Sequence, residues 1–488
     1  MKELTKIFLV TIVLTLFFNC SKDDNLIPKD IEIQDFVWKG MNAYYLWQGS
    51  KPDLADTRFS TQSELNDYLN GYNSPEEIFE SLLFQPGVID RFSWIVDDYI
   101  ALENSFQGIN LTTGMDFGLN RYSNSSSNVY GYIRYIIPKS SAAEKSLERG
   151  MIFNTINGTQ LTDRNYQNLL FNSDISLNVG FADFNDGNPT ANGTTILVSK
   201  QQVAENPIAN SKVFTEGTHK IGYLLYNQFS SSYDAELNKV FNSFDSENIN
   251  ELIVDLRYNG GGSVRTATYL GSMITGQFTG QLYSKEVWNA KIQGAFNTER
   301  FFNYFTNEIK KTDEEGTIIL QESINSLNLS TVYFIVSGST ASASELVINS
   351  LRPYIDVKII GTTTVGKQVG SVTLYDSDNL IRNGANLNPN HTYAIQPIVL
   401  EISNKDNQNE PDGFIPGVSL PGIEIEETPG NMGVLGERSD PLLDRTIQYI
   451  TTGSKGISKN VPLKFSEIYN SKLGTPARNS MYLELKKK

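Results

Sequence analysis

The stretch Val332-Tyr-Phe-Ile-Val336-Ser-Gly-Ser-Thr-Ala-Ser342-Ala-Ser-Glu345-Leu-Val-Ile-Asn-Ser-Leu351 decides the fold. A short β-branched and aromatic run followed by small polar residues and then an apolar segment reads as strand, tight turn and helix, the helix from Glu345 to Leu351. Such a turn leaves the first helical amides pointing outward at the positive end of the helix dipole, where a developing oxyanion is stabilised. The next apolar run, Val357-Lys-Ile-Ile-Gly361, reads as a second strand leading into the loop Thr362-Thr-Thr-Val-Gly-Lys367. A parallel strand–helix–strand unit brings both loops to one sheet edge. Upstream, strands expected at 221–226 and 252–256 alternate with helices at 234–244 and 266–275, and such alternation means an α/β core.

A serine at that turn needs a base to become a nucleophile. The chain has only two histidines, His219 and His391, and neither stands beside a serine at a strand end, so a lysine is the expected base. Lys367 can serve only if burial in a dry pocket favours its neutral form. A second glycine-rich turn, Asp255-Leu-Arg-Tyr-Asn-Gly-Gly-Gly262-Ser263, follows a second buried strand. Phosphate binding there lacks the lysine after the glycines, whereas its amides can supply half of an oxyanion hole. Asp183, Asn185, Asp186 and Gly187 begin like a calcium loop, but Thr194 stands where the bidentate glutamate belongs, so they read as a surface turn. No metal and no cofactor is expected. A net charge of −15 excludes a nucleic-acid surface.

In order and spacing, Asp255-Leu-Arg-x-Asn-x-Gly-Gly262, Ala341-Ser-Ala-Ser-Glu345 and Gly366-Lys367 resemble the catalytic motifs of the C-terminal processing, or tail-specific, serine peptidases. The resemblance spans roughly residues 30 to 450. It implies a ClpP/crotonase-like α/β catalytic core that cleaves polypeptides by acyl transfer. Ser342 is then the nucleophile, three residues before Glu345, and Lys367 the base, since 367 − 342 = 25 is the family's spacing. The oxyanion donors it implies are the amides of Ala343 and of Gly261 or Gly262. Two positions depart from the family: Ser371 stands where many members carry an orienting glutamine, and Pro353 where others carry an aspartate. Ser371 is the first candidate for the third catalytic residue, because a hydroxyl can hydrogen-bond an amine.

The remaining chain divides by pattern. Residues 1–19 read as a lipoprotein signal peptide, with Lys2 and Lys6 before an apolar run ending at Cys20, the only cysteine and the expected lipidation site. Residues 20–29 form a polar tether. That start implies a cell-envelope protein lipid-anchored to the outer membrane, and Ser21-Lys-Asp-Asp-Asn25 resembles the acidic export signal of Bacteroidetes-type lipoproteins, which implies display at the cell surface with the face left open. Residues 30–105 are helical in period, with Ser74 and Pro75 opening one helix. Over 106–205 the period changes to that of strands, with a short helix expected from Ser140 to Arg149. This region resembles a PDZ domain inserted before the catalytic core at 206–452. Gly114 to Leu119 resembles its carboxylate-binding loop, and Phe117, Gly118 and Leu119 are the expected peptide-binding residues. The basic tail, 453–488, reads as a solvated extension. Two other functions share these features: a catalytically silent surface binding protein on the same fold, and a crotonase-type acyl-CoA enzyme, which the serine–lysine spacing and export signal disfavour.

Overall fold

The computed structural model describes residues 27–313, 317–454, 465 and 467–485; the expected signal peptide and Cys20 lie outside these residues. The chain divides into two units, one ending at Arg91 and the other beginning at Phe92. In the first, helices Glu32–Tyr44, Gln62–Leu69 and Pro75–Leu82 bury Phe36, Val37, Met41, Leu65, Leu69, Ile78 and Phe79. Ser74 caps the third helix, its Oγ accepting the Glu77 N–H at 3.2 Å, with Pro75 at the first helical position. The unit ends earlier than the expected 105. Strand Trp94–Val96 pairs with Ala394–Gln396, and that pairing ties the following helix, Tyr99–Phe106, to the second unit.

The second unit is built on a six-stranded sheet ordered 208–216, 219–226, 251–255, 331–336, 356–361 and 422–424. All neighbours are parallel except the first pair. Parallel strands covered on both faces must be continuously apolar, and Leu252, Ile253, Val254, Val332, Phe334, Ile335, Ile359 and Ile360 are accordingly buried. Helices Asp234–Ser246, Val264–Thr275, Ala343–Leu351 and Pro441–Thr452 complete this core. The α/β class with an N-terminal helical domain, expected from the sequence, is the one found.

Residues 115–199 form a separate antiparallel sheet of strands 115–121, 129–136, 152–156, 176–183 and 190–199, with a short helix Tyr166–Leu170. Met115, Phe117 and Leu119 pack into its core with Val129, Ile133, Phe153 and Val179. That burial makes Met115–Arg121 a strand, so the expected loop over 114–119 shrinks to a turn at Gly114, whose φ is +87°. The helix expected from Ser140 to Arg149 is only Ser141–Glu144, because Ser146 takes a left-handed conformation and breaks the ladder. Asn185–Gly187 is a 3-10 turn, and no acidic or histidine cluster able to hold a metal occurs among the described residues.

The C-terminal segment is the largest departure from expectation. Glu467–Asn470 adds as a strand to the free edge of Met115–Arg121, and Met481–Tyr482 lies between Gly262–Ser263 and Val369–Ser371 in a second six-stranded sheet. Asn470, Ala477, Ser480, Met481 and Tyr482 are buried. The net positive charge of this stretch suggests solvation, but its uncharged residues Tyr469, Met481 and Tyr482 find partners only the folded core provides.

Candidate active site

Ser342 ends the turn after strand Thr331–Val336 and caps the helix Ala343–Leu351. Its backbone lies at φ 67° and ψ −118°, a conformation that costs an L residue free energy and that the surrounding bonds must hold. Those bonds come from the glycine-rich turn. The Asn259 carbonyl accepts the Ala341 N–H at 3.2 Å and the Ser344 hydroxyl at 3.0 Å, the Leu256 carbonyl accepts the Thr340 hydroxyl at 2.8 Å, and the Arg257 carbonyl accepts the Ser337 hydroxyl. The two turns, about eighty residues apart in sequence, thus form one object.

Glu345 ties this object to the lysine loop. Its buried carboxylate accepts the Ser342 N–H at 2.8 Å, the Lys367 N–H at 2.8 Å, the Gly366 N–H at 2.7 Å and the Thr364 hydroxyl at 2.5 Å. Burial raises the Glu345 carboxyl above its usual range, and the four hydrogen bonds only partly oppose that. The sequence reading used Glu345 to choose among serines and assigned it no role. The signal was available: a glutamate three residues after a helix-capping serine reaches back to the cap's own N–H.

Ser342 and Lys367 are 0% and 1% exposed. Among the described residues Ser342 Oγ has no hydrogen-bond partner. Lys367 Nζ donates to the Asn479 carbonyl at 2.6 Å and stands 4.8 Å from the centre of the Phe92 ring and 5.8 Å from that of Trp94. The two rings face the amine at cation–π distance and screen it from water.

At the glycine turn the two candidate donors differ. The Gly261 N–H donates to Asn259 Oδ1 at 2.9 Å and is already engaged. Phe229 bonds Gly261 O at 2.9 Å and the Ser263 N–H at 2.8 Å, so the amide of Gly262 between them faces the opposite side, toward Met481. Gly261 has φ +108°, and a Cβ there would lie 2.7 Å from Ser342 Cβ, 2.9 Å from Ser342 Oγ and 2.7 Å from the Ser480 carbonyl oxygen. Only glycine lets these three groups share that space.

Ala343 is the first residue of the helix after Ser342. Ser371 is buried nearby, but its hydroxyl donates to the Met481 carbonyl at 3.1 Å and accepts from Gln396 Nε2 at 3.0 Å. The sequence reading missed Gln396, Phe92, Trp94, Asn479 and Ser480, none of which stands near the motifs in sequence. Phe117, Gly118 and Leu119 lie in the strand that receives Glu467–Asn470. His219 and His391 face Glu251 and Asp376.

Comparison with known proteins adds to this geometry. Residues 220–393 match the model for peptidase family S41, and residues 32–94 match the peptidase S41 N-terminal domain. A carboxyl-terminal-processing protease of Picosynechococcus sp. (strain ATCC 27264 / PCC 7002 / PR-6) is 25% identical over 173 residues, 36% of this chain; the match spans 35% of that relative's length. A solved structure from Bacteroides fragilis NCTC 9343, named as an S41 protease, is similar with a TM-score of 0.62 at 23% identity over 86% of this chain and 97% of that one. A photosystem II D1 C-terminal processing protease gives a TM-score of 0.48 at 15% identity, over 86% of this chain and 100% of that one. Residues 32–94 and 220–393 thus match, in order, the N-terminal domain and the peptidase domain of family S41.

Proposed function

We propose that the chain is a serine endopeptidase working through a Ser342–Lys367 dyad. The observation that carries this reading is the Glu345 clamp, which joins a strained, buried serine turn to a buried lysine loop through one carboxylate. In the reaction Lys367 accepts the proton of Ser342 Oγ as that oxygen bonds to the scissile carbonyl carbon. The amides of Ala343 and Gly262 receive the oxyanion, since the Gly261 amide is spent on Asn259. Lys367 then returns the proton to the leaving amine, and water attacks the acyl-enzyme with the same lysine as base. The domain at 106–205 acts as a PDZ-like reader of polypeptide C-termini, using Phe117, Gly118 and Leu119 on a strand edge that accepts an added strand. Cys20 carries a lipid anchor, supported by the sequence alone; Cys20→Ala should move the protein from the membrane to the soluble fraction, and unchanged fractionation removes the anchor from the reading.

The test of the chemistry is to incubate the chain from residue 27 with a denatured protein, once with a free and once with an amidated C-terminus, and to map the new termini. Ser342→Ala and Lys367→Ala should each cost about a thousandfold or more in rate. Lys367→Arg should not rescue, because a guanidinium stays protonated at any working pH. Wild-type activity in Lys367→Arg would remove the lysine as base. Equal cleavage of both substrates would make the 106–205 domain a structural element.

A further inference from the structure

The last described stretch of the chain crosses two sites in succession. Glu467–Asn470 pairs antiparallel with Gly118–Asn120, in the position of a strand added to that sheet's edge. The Tyr469 ring sits against Tyr166 at 5.4 Å and Phe171 at 5.3 Å, at the two ends of the helix Tyr166–Leu170 and its exit. Ser471 Oγ accepts the Phe117 N–H at 3.1 Å and donates to Asp116 Oδ2 at 3.0 Å. The same segment touches the nucleophile turn, since Ser339 Oγ donates to Glu467 Oε1 at 3.1 Å and accepts from Asn470 Nδ2 at 3.3 Å.

Farther on, the chain enters the reacting centre. The Asn479 carbonyl takes the hydrogen bond of Lys367 Nζ at 2.6 Å. The Ser480 carbonyl borders the methyl-sized space at Gly261 that Ser342 Oγ borders from the other side. Met481 takes the backbone position facing the Gly262 amide. A substrate carbonyl approaching Ser342 needs that same space and that same amide. Polypeptide cannot occupy it while residues 479–481 do.

We infer that residues 467–485 are a built-in ligand that holds the peptidase in a closed resting state, filling the edge-strand groove through Tyr469 and the reacting centre through Asn479–Met481. The inference rests on the serine-peptidase reading above and deepens it. Being tethered, the segment competes at an effective concentration in the millimolar range, so a substrate must bind the small open fraction and its apparent affinity falls by that fraction. The groove that holds Tyr469 between two aromatic rings should favour polypeptides carrying an aromatic side chain at the matching position, and these are the partners that displace the segment.

The experiment compares four full-length chains for the rate at which a fluorophosphonate probe labels Ser342: wild type, Tyr469→Phe, Tyr469→Ala and Ser471→Ala. Tyr469→Phe should label at the wild-type rate. Tyr469→Ala should label about tenfold faster or more, Ser471→Ala should shift the same way by less, and a synthetic peptide of residues 467–485 added to Tyr469→Ala should slow labelling again. If Tyr469→Ala fails to fold, Ser471→Ala decides alone, because it removes one hydroxyl from a half-buried position. Labelling that is unchanged or slower in the folded variants overturns the inference and makes the segment a permanent part of the site. A wild-type chain that cuts itself between Ala477 and Tyr482, in a way Ser342→Ala abolishes, also overturns it, since the segment is then a substrate. No labelling in any chain would sink the serine-peptidase reading itself, and the inference with it.

Discussion

Two glutamates, Glu345 buried and Glu427 partly buried, each join distant parts of this chain, and they do so with opposite electrostatics. Glu345 joins the serine turn to the lysine loop through three backbone amides and one hydroxyl, all neutral. Glu427 joins the 106–205 domain to the catalytic core through Arg149 at 2.5 Å, Arg257 Nη1 at 2.9 Å and the Tyr258 hydroxyl. Burial raises both carboxyls. At Glu345 the neutral donors do not offset that, and its carboxyl stays above the usual range. At Glu427 the two guanidinium groups outweigh burial and hold the carboxyl at about 2. The contrast teaches that position and stability are separate assignments: dipoles suffice to aim two loops at each other, but holding two domains together in a low-dielectric junction takes full charges.

Glu427→Gln probes the larger effect. The Glu427 pKa falls from the ordinary 4.5 to about 2 on folding, so its stabilising contribution is fully present above 4.5 and is lost as pH falls toward 2. A shift of that size is worth about 3 kcal/mol. Glu427→Gln should therefore lower the urea midpoint markedly at pH 7 and far less at pH 3, with the labelling rate of folded Ser342 little changed. An equal loss at both pH values would mean that hydrogen bonding, not charge, carries the junction.

How much of this was legible in the sequence follows from range. The parallel strands, the serine turn and the lysine loop were readable because each is encoded within a few residues: apolar runs, small residues and a glycine turn leave the backbone few alternatives. Glu345 was readable in principle for the same reason, through the capping pattern it completes with Ser342. The aromatic wall of Phe92 and Trp94 was not, because neither residue carries a local sign of facing Lys367, about 270 positions away in sequence. The C-terminal segment was misread for a related cause. The lysines spread over 453–488 give the sequence the look of a solvated extension, and Asn479 and Ser480 are ordinary polar residues whose importance lies in backbone carbonyls, which no side-chain pattern announces.

Glu345→Gln sharpens the comparison from its quieter side. Oε2 accepts two rigid backbone donors, from Ser342 and Lys367, whereas Oε1 accepts the Gly366 N–H and a Thr364 hydroxyl that can rotate. A glutamine should therefore keep its carbonyl toward Ser342 and Lys367 and turn its amide toward Thr364, which can switch to accepting, so that only the Gly366 bond is lost. The lysine loop should loosen without coming free, costing about tenfold in kcat with KM nearly unchanged, since remote misplacement acts on the reacting geometry and not on substrate binding. The pH response should run opposite to that of Glu427. The Glu345 carboxyl is raised on folding, so ionising it destabilises the folded chain as pH climbs above 4.5, and a glutamine escapes that loss. Denaturation midpoints taken at pH 4 and pH 8 should show the Glu345→Gln deficit shrinking with pH while the Glu427→Gln deficit grows. Deficits that move in parallel would show that the two carboxylates do the same work and that the distinction between aiming and holding fails.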